Sequence, residues 1–242
     1  MASFTFKDQA FLASAKSSTF VPPDMGNLML WLRPEELTAL YAENDPIDPW
    51  PDHSGNGNDF FAENPSFRPL YKTNQIGGQP AAVFDGTDDF LKRASALGVT
   101  QAYTLLAVAK FDNAVPATGR EWIFKNGEGN GHGISKWDGN RHLFYNTGVF
   151  LQDAACTTNA ELWSSTRTAA PLARLFINGS SEAITNNTAA MVNPDPSSRL
   201  GIFLNSTFGF DGKIGEVMLW NISQSDANRQ ISEAYLMAKF GI

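Results

Sequence analysis

The run Ile214-Gly215-Glu216-Val217-Met218-Leu219-Trp220 is apolar on both of its alternating sets. Successive strand residues point to opposite faces, so Ile214, Met218 and Trp220 fall on one side and Val217 and Leu219 on the other. Such a strand must be covered on both faces, which places it centrally in a sheet with a layer on each side. The segment that follows is a suitable cover. Ser225 can cap a helix, Asp226 favours its positive N-terminal end, and Ile231, Ala234, Tyr235 and Ala238 form one apolar stripe. Lys239 and Gly241 provide its stop.

Upstream, the pattern is short strands broken by turns. Leu28 to Trp31 is a buried-strand run, and a short helix begins at Pro34, with Glu35 and Glu36 in its first turn and Leu37, Leu40 and Tyr41 on one face. Asn44 to Asn58 is turn-rich loop. Ala81 to Phe84 ends at Asp85-Gly86, and Tyr103 to Phe111 is a long apolar strand. Gly133 to Trp137 and Arg141 to Tyr145 flank Asp138-Gly139, and Leu175 to Ile177 runs into Asn178-Gly179; both dipeptides signal tight hairpins. Leu200, Ile202 and Leu204 alternate as a half-buried strand should. Gly 20 and Pro 13 supply the turns, and Phe 18 suits packing between two sheets. The class is all-β, with one short helix near the N-terminus and one C-terminal helix.

Residues 1–26 read differently and form an N-terminal arm ahead of a domain at 27–242. Phe4 and Phe6 alternate with polar neighbours, Phe11 and Phe20 follow, and Pro22-Pro23 stiffens the exit. Two readings stand level: an edge strand on the domain's own sheet, or an arm that docks on a neighbouring subunit by strand addition. The start lacks the basic and apolar regions of a secretory signal, and no run approaches the ~18 apolar residues of a membrane helix. A soluble chain made in the cytosol is expected, without membrane insertion. At a net charge of -7, with no Lys/Arg cluster, nucleic acid is not an expected partner. The single cysteine, Cys156, excludes an internal disulfide and reads as a small core residue.

Several of these pieces together resemble the bacterial and phage laminin-G-like (concanavalin-A-like) jelly-roll domains. Trp50-Pro51-Asp52-His53-Ser54-Gly55-Asn56-Gly57-Asn58-Asp59 looks like the family's Trp-x-Asp-x-Ser-Gly-x-Gly-Asn loop. Phe84-Asp85-Gly86-Thr87-Asp88-Asp89-Phe90-Leu91 is similar to its Phe-Asp-Gly-x-Asp-Asp-aromatic segment, and Leu175 to Gly179 to its aromatic-x-Asn-Gly hairpin. Gly212 to Val217 and the capped helix ending Lys239-Phe240-Gly241-Ile242 match its usual terminus. The motifs occur in family order over residues 28–242, leaving the arm unexplained. The resemblance implies a two-sheet antiparallel jelly-roll sandwich.

Glycoside hydrolases on this fold resemble one another through a Glu-x-Asp-x-x-Glu strand, whose alternation puts carboxylates on either side of the scissile bond. That spacing does not occur here. Glu216 stands alone in its strand and reads as a structural residue near a sheet end. There is no nucleophile elbow, no His-Glu-x-x-His and no phosphate-cradling loop. His53, His132 and His142 lack ligand-like spacing, so no transition-metal site is expected. Many members of the resembled family bind one calcium. Asp85, Asp88 and Asp89 crowd one turn and would supply carboxylate oxygens for it. Ahead of that reading stands one in which these side chains satisfy loop N–H groups. For a sugar, the hairpin offers Trp137, Asp138, Asn140, Arg141 and Tyr145. Ahead of that reading stands one in which Trp137 and Tyr145 simply pack inward.

These readings combine into a non-catalytic binding or structural protein. The first expectation is a bacteriophage virion component of tail, baseplate or capsid-decoration type. It would be tethered to other virion proteins, or to its own copies, through the arm, and could meet a host-surface glycan. The alternative is an extracellular carbohydrate-binding or adhesion module of a secreted bacterial protein, with a glycoside hydrolase ranked last. No cofactor other than calcium is implied.

Overall fold

The computed structural model describes residues 20–99, 102–113, 119–127, 131–137, 141–146, 149–168, 172–186, 197–202 and 209–242; at 141, 143–146, 149–155 and 182–186 it describes the backbone alone. Strands β1 (Leu28–Leu32), β2 (Leu70–Ile76), β3 (Gln79–Asp85), β4 (Leu91–Arg93), β5 (Tyr103–Phe111), β6 (Arg120–Asn126) and β7 (His132–Trp137) make up the first half. The second half holds β8 (Arg141–Asn146), β9 (Val149–Ala155), β10 (Ala160–Arg167), β11 (Leu172–Ile177), β12 (Ser180–Asn186), β13 (Ser198–Leu200) and β14 (Asp211–Trp220). Helix α1 spans Pro34–Leu40 and helix α2 Asp226–Phe240.

Among the described residues these strands form two antiparallel sheets. An eight-stranded sheet runs β12-β11-β10-β5-β14-β3-β2, with β1 also paired to β14, and a six-stranded sheet runs β4-β13-β6-β7-β8-β9. The doubly apolar run is therefore central, as its pattern requires. One face of the large sheet meets the small sheet across a core that includes Trp50, Phe60, Phe84, Phe111, Phe124, Trp163, Val217 and Leu219. Its other face carries a second cluster, in which Met218, Trp220, Leu106 and Val108 pack beneath Tyr235, Leu236 and Phe240 of α2. Full burial of side chains this size contributes about 1.5–3 kcal/mol each. No helix among the described residues is long and apolar enough to cross a membrane.

The alternation in β14 breaks at Gly215. Ile214 pairs with Ala109 and Glu216 with Val108, so one residue is bulged out. Ile214 consequently shares the inter-sheet core with Val217 and Leu219 rather than the helix side with Met218 and Trp220. Glycine is required there by space, because a Cβ would meet the Phe240 ring at 2.7 Å. Glu216 is thus midway along a central strand, not near a sheet end.

Helix α2 is capped as its sequence predicts, with the Ser225 side chain accepting from Asn228 N–H and Gly241 left-handed at φ 68. Its buried face is different. Arg229, Ser232, Glu233, Leu236 and Phe240 turn inward with Tyr235, while Ile231, Ala234 and Ala238 are half-exposed. The reason is the Arg229–Glu233 pair, which neutralises itself one turn apart while the guanidinium lies 3.7 Å from the Phe176 ring. In α1, Leu37 is buried but Leu40 is 55% exposed, so the expected shared face is only partly used. The Asn178-Gly179 turn closes β11 onto β12 with both residues at positive φ, 49 and 77. Strand β13 ends at Leu200, Ile202 is buried beyond it, and Leu204 lies outside the described residues.

Candidate functional site

The loop that resembles the family motif fixes β1 and builds a cleft beside it. Asp52 accepts from the backbone N–H groups of Trp31, Ser54 and Asn58, and its own N–H donates to Asp59. Asn56 and Asn58 donate to the carbonyls of Leu28 and Met29. These polar residues satisfy backbone groups that the irregular chain would otherwise leave unpaired. The result places His53 against the strand. Its N–H donates to Trp31 O at 2.8 Å, and its ring stands edge-on to the Trp31 indole at 5.0 Å and 79°.

Trp31 is held from behind. Its Nε1–H donates to Glu216 Oε1 at 2.6 Å, and Glu216 Oε2 receives Lys239 Nζ at 2.6 Å. Lys239 also donates to Glu35 and to the Tyr235 hydroxyl. Burial pushes the Glu216 carboxyl up from its ordinary value, and Lys239 opposes that push. Phe20 stacks flat on Tyr235, 3.8 Å apart and 2° from parallel, and meets Trp31 edge-on at 6.2 Å. The chain from Phe20 onward therefore lies on the outer layer of this same molecule, with Pro23 O accepting from Trp220 Nε1 and Asn228 donating to Asp24.

Between these walls is an open cleft of about 250 Å³ lined by Phe20, Val21, Pro22, Met25, Trp31, Arg33 and His53. The Arg33 guanidinium carbon is 4.9 Å from the Trp31 ring centroid, and His53 Nδ1 lies 2.9 Å from Glu36 Oε1. Trp31 is only 4% exposed, with Phe20, His53 and Arg33 against its ring, so the cleft presents a mostly covered aromatic wall with a guanidinium and an imidazole at its edge. Among the described residues the lining itself has no carboxylate, and Glu36 reaches its rim through His53.

The residues singled out from sequence fall elsewhere. On β7, Ile134 belongs to the inter-sheet core and Lys136 lies over the core Phe111 ring, so alternation puts Trp137 on the outer face. There Trp137 is half-buried, with the Arg120 guanidinium 3.4 Å above its ring. Register sets Trp137 opposite Arg141 and Gly133 opposite Tyr145, while Asp138 and Asn140 lie outside the described residues. Phe4, Phe6 and Phe11 also lie outside them. Asp85, Asp88 and Asp89 do come together, with one carboxylate oxygen from each within 4.8 Å of the others. Asp85 Oδ1 accepts from Thr87 and Asp88 N–H, and Asp89 Oδ2 from Asp85 N–H. Burial, then the Asp85 charge, push the Asp89 carboxyl up to about 7. Three crowded carboxylates are a donor set that fits a hard cation such as Ca²⁺.

No protein-family model matches the chain, and no curated protein matches it either. Solved structures do. Domain 4 of AbnA, a GH43 extracellular arabinanase from Geobacillus stearothermophilus seen in complex with arabinotriose, has a TM-score of 0.60 at 17% identity, covering 86% of this chain and 98% of that one. The binding domain of Paraclostridial Mosquitocidal Protein 1 scores 0.63 at 10% identity, over 88% of this chain and 52% of that one. Trypanosoma rangeli sialidase scores 0.57 at 14% identity, over 95% of this chain but 37% of the sialidase. The fold is a two-sheet jelly-roll sandwich. At these identities the likeness carries architecture, and the chain spans only about half or less of the latter two proteins.

Sequence reasoning missed the cleft because its parts come from four stretches: the end of the arm, β1, the residue after it, and the loop at His53. It also missed a buried cluster between the sheets. His142 Nε2 is 3.0 Å from Glu161 Oε2, and Cys156 Sγ lies within 4.8 Å of both donor atoms. Beside them, the buried Lys136 ammonium pairs with Glu121 at 2.5 Å and donates to Asn113. Burial, then the Glu161 charge, raise the Cys156 thiol above its ordinary range. These partners lie on separate strands and the connection between them, and their spacing matches no metal-ligand motif.

Proposed function

We propose that the protein is a non-catalytic, laminin-G-like binding module that takes a carbohydrate in the cleft beside Trp31. The observation that carries this reading is the cleft, where Trp31 is bordered by Arg33 and His53 and, among the described residues, no carboxylate lines the space. The arabinotriose complex of AbnA domain 4, 98% of whose length this chain covers, supports a short oligosaccharide as the ligand class. The ordered motifs from Trp50 to Gly241 support the laminin-G-like assignment. Calcium would be held by Asp85, Asp88 and Asp89, away from the sugar, where it would brace the turn after β3.

A second candidate sugar surface is the outer face of β7 at Trp137, next to the hairpin whose sequence also carries Asp138, Asn140, Arg141 and Tyr145. The Trp137–Arg120 stack favours it by fixing an aromatic ring on that face. Glycan-array screening followed by calorimetry separates the two. Arg33→Ala and His53→Ala should each weaken binding about tenfold, with Trp137→Ala leaving it unchanged. The opposite pattern moves the site to β7, and sugar release by the pure protein would overturn the non-catalytic reading.

Within this reading we place the module in a bacteriophage virion, docking on a second copy or another virion protein through the arm residues Phe4, Phe6 and Phe11, whereas Phe20, the fourth of that set, stacks on Tyr235 of its own molecule. The resemblance to bacterial and phage domains supports that placement. Mass spectrometry of purified particles should detect the chain. A gene lying within a secreted bacterial adhesin would instead establish the extracellular alternative.

A further inference from the structure

We propose that His142, Cys156 and Glu161 form a zinc site that staples the two sheets together. The three donors come from three different pieces of the fold. His142 is on β8 of the six-stranded sheet, Cys156 lies in the connection that crosses from β9 to β10, and Glu161 is on β10 of the eight-stranded sheet. All three side chains are buried, at 4%, 2% and 4% exposure, and the site is independent of the sugar cleft.

The donor set is nitrogen, sulfur and oxygen, which is what Zn²⁺ takes in tetrahedral sites. With ligand distances of about 2.0–2.3 Å, tetrahedral donors lie ~3.3–3.7 Å apart. The three donor atoms already lie within 4.8 Å of one another, and His142 Nε2 and Glu161 Oε2 are 3.0 Å apart. Modest side-chain rotation would therefore close the site, with water as a fourth ligand.

The carboxylate is pre-oriented for this role. Glu161 Oε1 accepts from Thr157 N–H at 3.1 Å and from the Thr157 hydroxyl at 2.8 Å, leaving Oε2 as the oxygen that faces His142. Hydrogen bonds of this kind set a ligand's direction and tune its affinity. Charge also favours the ion. On binding, Cys156 gives up its thiol proton to solvent, and Zn²⁺ with one thiolate, one carboxylate and a neutral imidazole sums to zero. Lys136 is the nearby cation, and its charge is matched by Glu121. A neutral metal centre can be buried where an isolated ion could not. The spacing of the histidines gave no hint of this site, because a cysteine and a glutamate complete it.

The test uses the full chain, stripped with chelator and titrated with Co²⁺ as a spectroscopic stand-in for zinc. The expected result is one equivalent bound, with a thiolate-to-cobalt charge-transfer band and tetrahedral visible bands. Zinc in about 100-fold excess over its dissociation constant should raise the melting temperature by roughly 5 °C or more, reversed by chelator. Glu161→Gln should weaken metal binding about tenfold, and Cys156→Ser should remove the charge-transfer band. If those variants fail to fold, the wild-type spectrum decides alone. Absence of the thiolate band, whether or not metal binds elsewhere, overturns the proposal.

Discussion

Glu216 Oε2 and Lys239 Nζ lie 2.6 Å apart on the helix side of the central strand, with Glu216 wholly buried and Lys239 only 8% exposed. This pair ties the last turn of α2 to β14, and through Trp31 Nε1 it also fixes the wall of the cleft. Removing Lys239 leaves the buried Glu216 charge without its counterion, whereas Lys239 also has Glu35. Lys239→Met should cost about 3–5 kcal/mol. In a chain of this size that lowers the melting temperature by on the order of 10 °C. The double variant Glu216→Gln/Lys239→Met should recover most of the loss, since the amide still accepts from Trp31. Equal melting of Lys239→Met and wild type would contradict the account.

His132 predicts a pH dependence. Its ring stacks on Tyr103 at 4.1 Å, and burial, then the charges of Lys125 and Arg167, lower its pKa to about 3. The unfolded chain takes up this proton near its ordinary value of about 6.5, whereas the folded chain resists it. The contribution is therefore fully present above about pH 6.5 and is lost as pH falls toward 3, by on the order of 2–3 kcal/mol at about pH 4.5. His132→Phe keeps the stack and removes the proton. Its stability relative to wild type should rise by that amount between neutral pH and pH ~4.5 in denaturant titrations. Parallel profiles would count against the buried neutral imidazole.

Gly215 tests the bulge. An added Cβ meets Phe240 at 2.7 and 3.0 Å, and the ring is already packed, so Gly215→Ala should cost about 1–3 kcal/mol by thermal melting. A tolerated alanine would mean that Phe240 is not seated on the bulge.

Much of the architecture was legible. Tyr103 to Phe111 and Ile214 to Trp220 carry enough apolar residues to demand burial on both faces, and Ser225 and Gly241 bound their helix by local chemistry alone. What escaped were features that depend on partners across the fold. The bulge at Gly215 is invisible without Phe240, which fills the space a side chain would occupy. The inward turn of Arg229 and Glu233 contradicts polarity and becomes reasonable only once the two charges cancel against Phe176 and the sheet. The candidate cleft was hidden for the same reason. Trp31 and His53 were readable as a strand and a loop residue, and the Asp52 hydrogen bonds with the His53 N–H bond to Trp31 O bring them together.

The acidic turn predicts a calcium response. At about 100 times its dissociation constant, a ligand confined to the folded state adds about 2.7 kcal/mol of stability. Calcium should raise the melting temperature of wild type and leave Asp88→Asn unchanged. An unchanged wild type would assign Asp85, Asp88 and Asp89 to backbone hydrogen bonding alone.

The proposed ligand of the cleft is a sugar. The most direct measurement is an NMR titration with whichever glycan binds most tightly on an array, following the Trp31 indole N–H and the His53 ring. Both signals should shift saturably with one dissociation constant, and Arg33→Ala should raise that constant about tenfold. Saturable binding that leaves Trp31 and His53 unmoved, or no glycan binding at all, would contradict it.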